Sequence, residues 1–295
     1  MVSGALLFQS IILGLLLGGL YALLAAGLTL YFGVMRVVMI AHSAFLILAA
    51  YLAWYFHSET GLDPLLSLAG TVPLFFALGV AMQRLLITRL RPATVTMMSV
   101  LLTFAIALII EGLLGYVFSG VQRRTQLGYS GASLDVFGAR VAVVKLIAFA
   151  LAAGALLGLY ALLKATRFGQ ALRATIQHRE AAQLAGIDTD RVAGYGFGLG
   201  LATAAVGGTA LALDSTIYPS LHWHWIGPLM AIIVVGGLGS VPGAAIAAMA
   251  LGLTQSLLQL PLGTTWAQTI FYVALFGTLA FRPQGFFGGR LAQRF

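Results

Sequence analysis

A few groups of side chains in this 295-residue sequence have types and spacings that could do chemistry. His222 and His224 stand two apart with Asp214 upstream, the beginnings of a divalent-metal site. No other carboxylate or thiolate lies near them, so the metal reading stops at the pair. Alternating with Trp223 and Trp225, the two imidazoles fit an aromatic belt at a membrane surface. Glu111 interrupts an apolar run, and a carboxylate there must face protein or water. It is read either as part of a solute path or subunit interface, or as a structural hydrogen-bond acceptor or a protonated acid. His42, followed by Ser43, is either a packed histidine or a solute contact. GGLGSVPG at 236–243 has glycines but lacks the lysine of a phosphate loop. The lysines are Lys145 and Lys164 alone, and there is no cysteine, which removes thiolate ligands and nucleophiles. No nucleophile–base set clusters in one stretch, so the residues point to transport rather than catalysis.

The elements that would carry these groups are mostly apolar. Hydrophobic residues make up 60% of the chain and charged residues 8%, against about 25% charged in soluble domains. Apolar stretches long enough to cross a hydrocarbon core of ~30 Å recur throughout. They are expected at 6–32, 37–56, 65–87, 93–118, 141–163, 192–213, 226–260 and 264–281. The seventh is interrupted at 236–243 and reads as two helices or half-helices around a glycine break. Pro73 should kink the third, Pro92 should end a helix, and 119–140 reads as a polar loop. Gly14, Gly18 and Gly19 could form a close-packing face. A second interruption, centred on Gly33, loosely echoes the first, as repeats do in transporters. The fold class is therefore an all-α polytopic membrane protein of about eight to nine transmembrane helices, a single transmembrane domain over 1–295. The first stretch has no basic leader and reads as a retained span.

The net charge of +8 does not point to nucleic acid, because the basic residues sit in short loops between spans. Placing the loops with Arg36, with Arg84 to Arg91, at 164–191 and with Arg282 to Arg294 on the cytoplasmic side puts twelve of the sixteen Lys and Arg inside. The N-terminus is then outside and the C-terminus inside. Nine crossings satisfy this, as do seven with a re-entrant pair.

The longest polar run, 164–191, holds five of the basic and three of the acidic residues. Leu172, Ile176 and Leu184 share one face of a helix expected over 169–185. Gly186 would end it, and Asp188 or Asp190 would cap the next helix. A short amphipathic helix outside the bilayer is a surface on which a soluble partner can push.

Within this run, Glu180-Ala181-Ala182 with Gly186 resembles the EAA-xxx-G signature of ABC importer permeases, whose coupling helix docks on a cytoplasmic ATPase. Four further blocks resemble the permeases of branched-chain amino-acid-type ABC importers: GLYALLAAGLTLYFGVMRVVMIAH (19–42), RPATVTMMSVLLTFAIALIIEGLLG (91–115), VVGGLGSVPGAAIA (234–247) and RPQGFFG (282–288). The blocks fall in the family's order over nearly the whole chain. The resemblance implies that Arg173, Arg179, Glu180, Ala181, Ala182 and Gly186 couple to an ATPase dimer, which binds the ATP and magnesium, with no cofactor in this chain. It implies a second permease subunit, identical or related, and an extracytoplasmic solute-binding protein. His42, Ser43, Glu111, Gly236, Gly237 and Gly239 are the candidates for the translocation path. The family's first block commonly reads Asn-Phe-Ala-His-Gly. The resemblance implies a branched-chain amino acid or a related amino acid, amide or organic acid as solute; here Met39, Ile40 and Ser43 replace three of the five, which leaves room for a solute other than the family's namesake if that position lines the path. The alternative is a stand-alone channel or secondary transporter.

Overall fold

The computed structural model describes residues 4–35, 37–90, 94–136 and 139–288. Arg36, Arg91, Pro92, Arg290 and Arg294, used above for topology, lie outside these ranges. Eleven α-helices are present among the described residues. They are α1 (Gly4–Met35), α2 (His42–Thr60), α3 (Leu68–Leu85), α4 (Val95–Phe118), α5 (Val143–Ala165), α6 (Arg167–Gln177), α7 (Arg179–Leu184), α8 (Thr189–Asp214), α9 (His222–Gly236), α10 (Val241–Ala267) and α11 (Thr269–Phe281). Six segments are long and apolar enough to cross a membrane: those of α1, α3 with its flanking 3-10 turns, α4, α5, α8 and α10. The chain is thus a multi-pass membrane protein.

Burial, rather than amphipathic periodicity, sets the arrangement. α1 is apolar all round, and from Tyr21 to Tyr31 every residue is buried. α8 is built of glycine, alanine and threonine and is buried along most of its length. A helix buried on all sides belongs at the centre, and α1 and α8 form the core with α2, α3, α5, α9 and α10 around them. α4 and α11 carry exposed faces that include Leu101, Ile109, Tyr116, Phe276 and Phe281, as expected of lipid-facing helices.

Small residues permit the closest approach. A Cβ built on Gly252 of α10 would lie 2.6 Å from the Cα of Gly18 on α1, and one on Gly14 would lie 2.8 Å from the Cα of Leu253. The expected glycine face of α1 is real for Gly14 and Gly18, but Gly19 faces the Phe149 ring of α5 instead.

Several boundaries differ from expectation. The polar loop at 119–140 contains an antiparallel hairpin, β1 (Ser133–Val136) with β2 (Ala139–Ala142), so the protein is not purely helical. Backbone bonds between Arg123 and Ile217 tie this region to the segment before α9. Tyr129 donates to Asp63 at 2.7 Å. Burial, and after it the Asp63 carboxylate, push the Tyr129 hydroxyl well above its usual range. Asp63 also caps the turn that Pro64 opens. α2 begins at His42 rather than near 37. α10 continues beyond 260 to Ala267 through a kink at Pro261 and Gly263, where Gly263 takes φ +76°. The interruption near the front of the chain is not centred on Gly33. α1 runs through Gly33 to Met35, and the non-helical stretch follows it.

Candidate functional site

The polar run folds as two helices, not one. α6 starts from Thr166, whose Oγ1 accepts from the Gly169 N–H at 3.0 Å, and Gly169 packs directly on the Leu163 carbonyl of α5. His178 breaks the predicted single helix. Its N–H closes α6 on the Ala174 carbonyl, its backbone is extended, and its Nδ1 accepts from the Ala181 N–H at 3.2 Å to cap α7. The β-region geometry of a capping residue is incompatible with a continuous helix. Leu184, expected on the buried face, is therefore 91% exposed.

α7 ends as predicted, and the details explain Gly186. The Gly186 N–H reaches the Gln183 carbonyl at 2.9 Å, and the Ile187 N–H reaches back to Ala182 at 3.0 Å. This double closure needs a left-handed residue, and Gly186 has φ +80°. Asp188, rather than Asp190, caps α8 by accepting from the Arg191 N–H at 3.0 Å. Asp190 instead pairs with Arg179 at 2.6 Å, tying α7 to α8.

The α6–α7 unit is anchored below and open above. Leu172 is fully buried among Leu30 and Val34 of α1, Leu159 of α5 and Ala193 of α8. Ala182 is buried, whereas Arg173, Arg179, Glu180, Ala181 and Gly186 are exposed. Arg179, Glu180, Ala181 and Leu184 thus form an outward surface on a base fixed to three long helices.

The same base reaches the glycine break. After Gly236, Gly237 takes φ +94° and Gly239 φ +85°, a conformation that side chains with a Cβ resist. Ser240 then caps α10, its Oγ accepting from the Gly243 N–H at 3.2 Å. Gly33 of α1 and Ile176 of α6 lie against Gly239 and Gly33 respectively. From the opposite side the segment 282–288 closes on the break. The Phe286 N–H donates to the Val235 carbonyl at 2.9 Å, and Gly285 and Gly288 pack on Gly237. Two sequence blocks read separately above are one interlocked unit. Sequence reasoning missed Ile176, Gly285 and Phe286 as parts of it, because their partners lie far away along the chain. Gly236 and Gly237 are buried in protein, while Gly239 borders a cavity of about 430 Å³ between α1, α5, α6 and α10.

The remaining candidates fall elsewhere. His42 is 1% exposed, with Nδ1 at 3.2 Å from the Tyr31 hydroxyl. Ser43 is buried and donates to the Ile40 carbonyl at 3.2 Å. Met39 is 1% exposed within the core. The Glu111 carboxylate accepts from His222 Nε2 and from Trp223 Nε1, both at 3.0 Å. The His-Trp run is the first turn of α9 rather than part of a loop. His222 and Trp225 are buried there, and only Trp223 and His224 are exposed. His224 meets Gln268 at 2.9 Å, so the two imidazoles serve different neighbours.

Residues 10–279 match the family model described as branched-chain amino acid transport system, permease component. The chain belongs to this family. The permease is 30% identical to the probable branched-chain amino acid transport permease protein LivH of Methanocaldococcus jannaschii, over 91% of this chain and 89% of that protein. It is 28% identical to the LivH permease protein of Escherichia coli K12 and 25% identical to BraD of Pseudomonas aeruginosa, each over 95% of both chains. In fold the permease is similar to a chain of PsaBC from Streptococcus pneumoniae solved in complex with Fab, with a TM-score of 0.50 and 14% identity over 92% of each chain.

Proposed function

We propose that this permease imports a small polar solute when a cytoplasmic ATPase dimer pushes on α6 and α7, with a second permease subunit alongside and an external binding protein delivering the solute. Branched-chain amino acids are the first candidates. Met39, the departure from the family's usual asparagine, is packed in the core and gives no reason to assign another class. The observation that carries the reading is the joint between coupling unit and break. Leu172 is locked into α1, α5 and α8, and Ile176 sits against Gly33, which in turn faces Gly239. Displacement of α7 would be passed through α6 to a glycine joint that can change dihedral angles at little steric cost.

The basic loops are assigned to the cytoplasm and the N-terminus to the outside. α2, α9 and α11 join the six long helices to give nine membrane-inserted segments. Uptake of radiolabelled leucine into liposomes holding the assembled complex tests this proposal. ATP-dependent uptake is expected, and equal uptake with the ATPase omitted would overturn it.

A further inference from the structure

We infer that the cavity of about 430 Å³ beside the coupling unit binds the phosphate-bearing headgroup of an anionic lipid. Its walls come from α1, α5, α6 and the start of α10, and they carry two cations, Lys164 and Arg173, with no acidic residue. Neither cation has an ion-pair partner among the described residues. The Lys164 ammonium lies over the Tyr160 ring, 5.5 Å from its centroid, which holds it at the cavity rather than leaving it swinging in solvent. The N-terminus of α10 adds a positive dipole end at Ser240. Apart from Thr29, whose hydroxyl donates to the Ala25 and Ala26 carbonyls of its own helix, the rest of the lining is apolar, including Leu163 and Ile176.

Position selects the occupant. Tyr160 and Lys164 lie in the last turns of α5, a helix of membrane-spanning length. Tyrosine and lysine at a span end sit at headgroup depth. A site at that depth with cations at its rim and apolar walls fits an amphiphile whose phosphate meets Lys164 and Arg173 and whose upper acyl segment meets the walls. A soluble anion would leave those walls unused. The inference rests on the membrane-spanning reading of α5 and not on ATPase docking.

Native mass spectrometry of the intact purified permease, released from nanodiscs of mixed phosphatidylglycerol and phosphatidylcholine, reads this site directly. The wild type should retain one phosphatidylglycerol preferentially. Lys164→Gln with Arg173→Gln should lower that retention by on the order of tenfold, and Lys164→Arg should keep it. Arg89→Gln, an exposed cation away from the cavity, should also keep it. Monodispersity and the thermal midpoint of each variant establish folding. The inference is overturned if the wild type shows no preference, if Arg89→Gln causes the same loss, or if millimolar inorganic phosphate displaces the lipid completely, which would mark a soluble-anion site. Because no transport is measured, failure here leaves the coupling proposal standing, and failure of coupling leaves this one.

Discussion

Gly33 and Gly239 face one another backbone to backbone: a Cβ built on either would lie 3.4 Å from the Cα of the other. The two positions are not equivalent. Gly33 is helical, and an added methyl would make ordinary contacts with Gly239 and with Ile176 Cδ1 at 3.6 Å. Gly239 has φ +85°, which an L-residue adopts at a cost of about 1–2 kcal/mol. Gly33→Ala should therefore keep a near wild-type thermal midpoint and uptake rate, whereas Gly239→Ala should lower both. Equal midpoints for the two variants in detergent would show that the break is not held in this conformation.

The proposed coupling surface makes a separable prediction. Glu180 is exposed on α7, so Glu180→Lys should leave folding and membrane insertion unchanged while abolishing ATP-driven uptake. Gly186→Pro acts differently. Proline cannot take φ +80° and has no N–H to give Gln183, so α7 should lose its terminus while the spans remain inserted. Normal ATP-driven uptake by both variants, measured in the reconstituted complex, would remove α7 from the mechanism.

How much of this was legible in the sequence follows from the range of each interaction. Gly186 and Asp188 act within a few residues, and their turn and cap were readable from type and spacing. The apolar spans were readable because hydropathy needs no partner. His178 was not, since a histidine in a run of good helix formers carries no breaking signal until its ring caps α7. The contacts of 282–288 with 234–243, of Ile176 with Gly33 and of Glu111 with His222 join distant stretches, and no periodicity encodes them. The burial of Met39, His42 and Ser43 belongs to the same class. Their motif suggested a solute path, but only the packing of α1 and α8 places them inside the core.

The α1–α10 seam predicts a stability effect remote from both the break and α7. A Cβ on Gly252 would come within 2.6 Å of the Gly18 Cα, and backbone cannot yield as a flexible side chain can. Gly252→Val should destabilise by about 1–3 kcal/mol, as overpacking does, and lower the thermal midpoint. Gly112→Val, on α4 where a Cβ would meet nothing within 4 Å, is the matched control and should change little. A smaller loss at Gly252 than at Gly112 would mean the seam is not closed.

Glu111 links α4 to the first turn of α9, and its two donors differ in what they lose without it. His222 is 1% exposed, and its Nδ1 already lacks a hydrogen-bond partner. Trp223 is exposed and can turn its N–H toward the membrane interface. Glu111→Leu would therefore strand His222 with both ring nitrogens unpaired, at a cost of about 1–3 kcal/mol for the buried polar group. Glu111→Gln retains a carbonyl oxygen that can accept from Nε2, so it should cost less. If the Glu111–His222 contact is structural, the thermal midpoints should fall in the order wild type, Glu111→Gln, Glu111→Leu. His222→Phe should then make the further change Glu111→Leu nearly neutral, because the stranded donor is gone. A double-mutant cycle reads this coupling directly. Additive effects of the two substitutions would show that Glu111 does not act through His222.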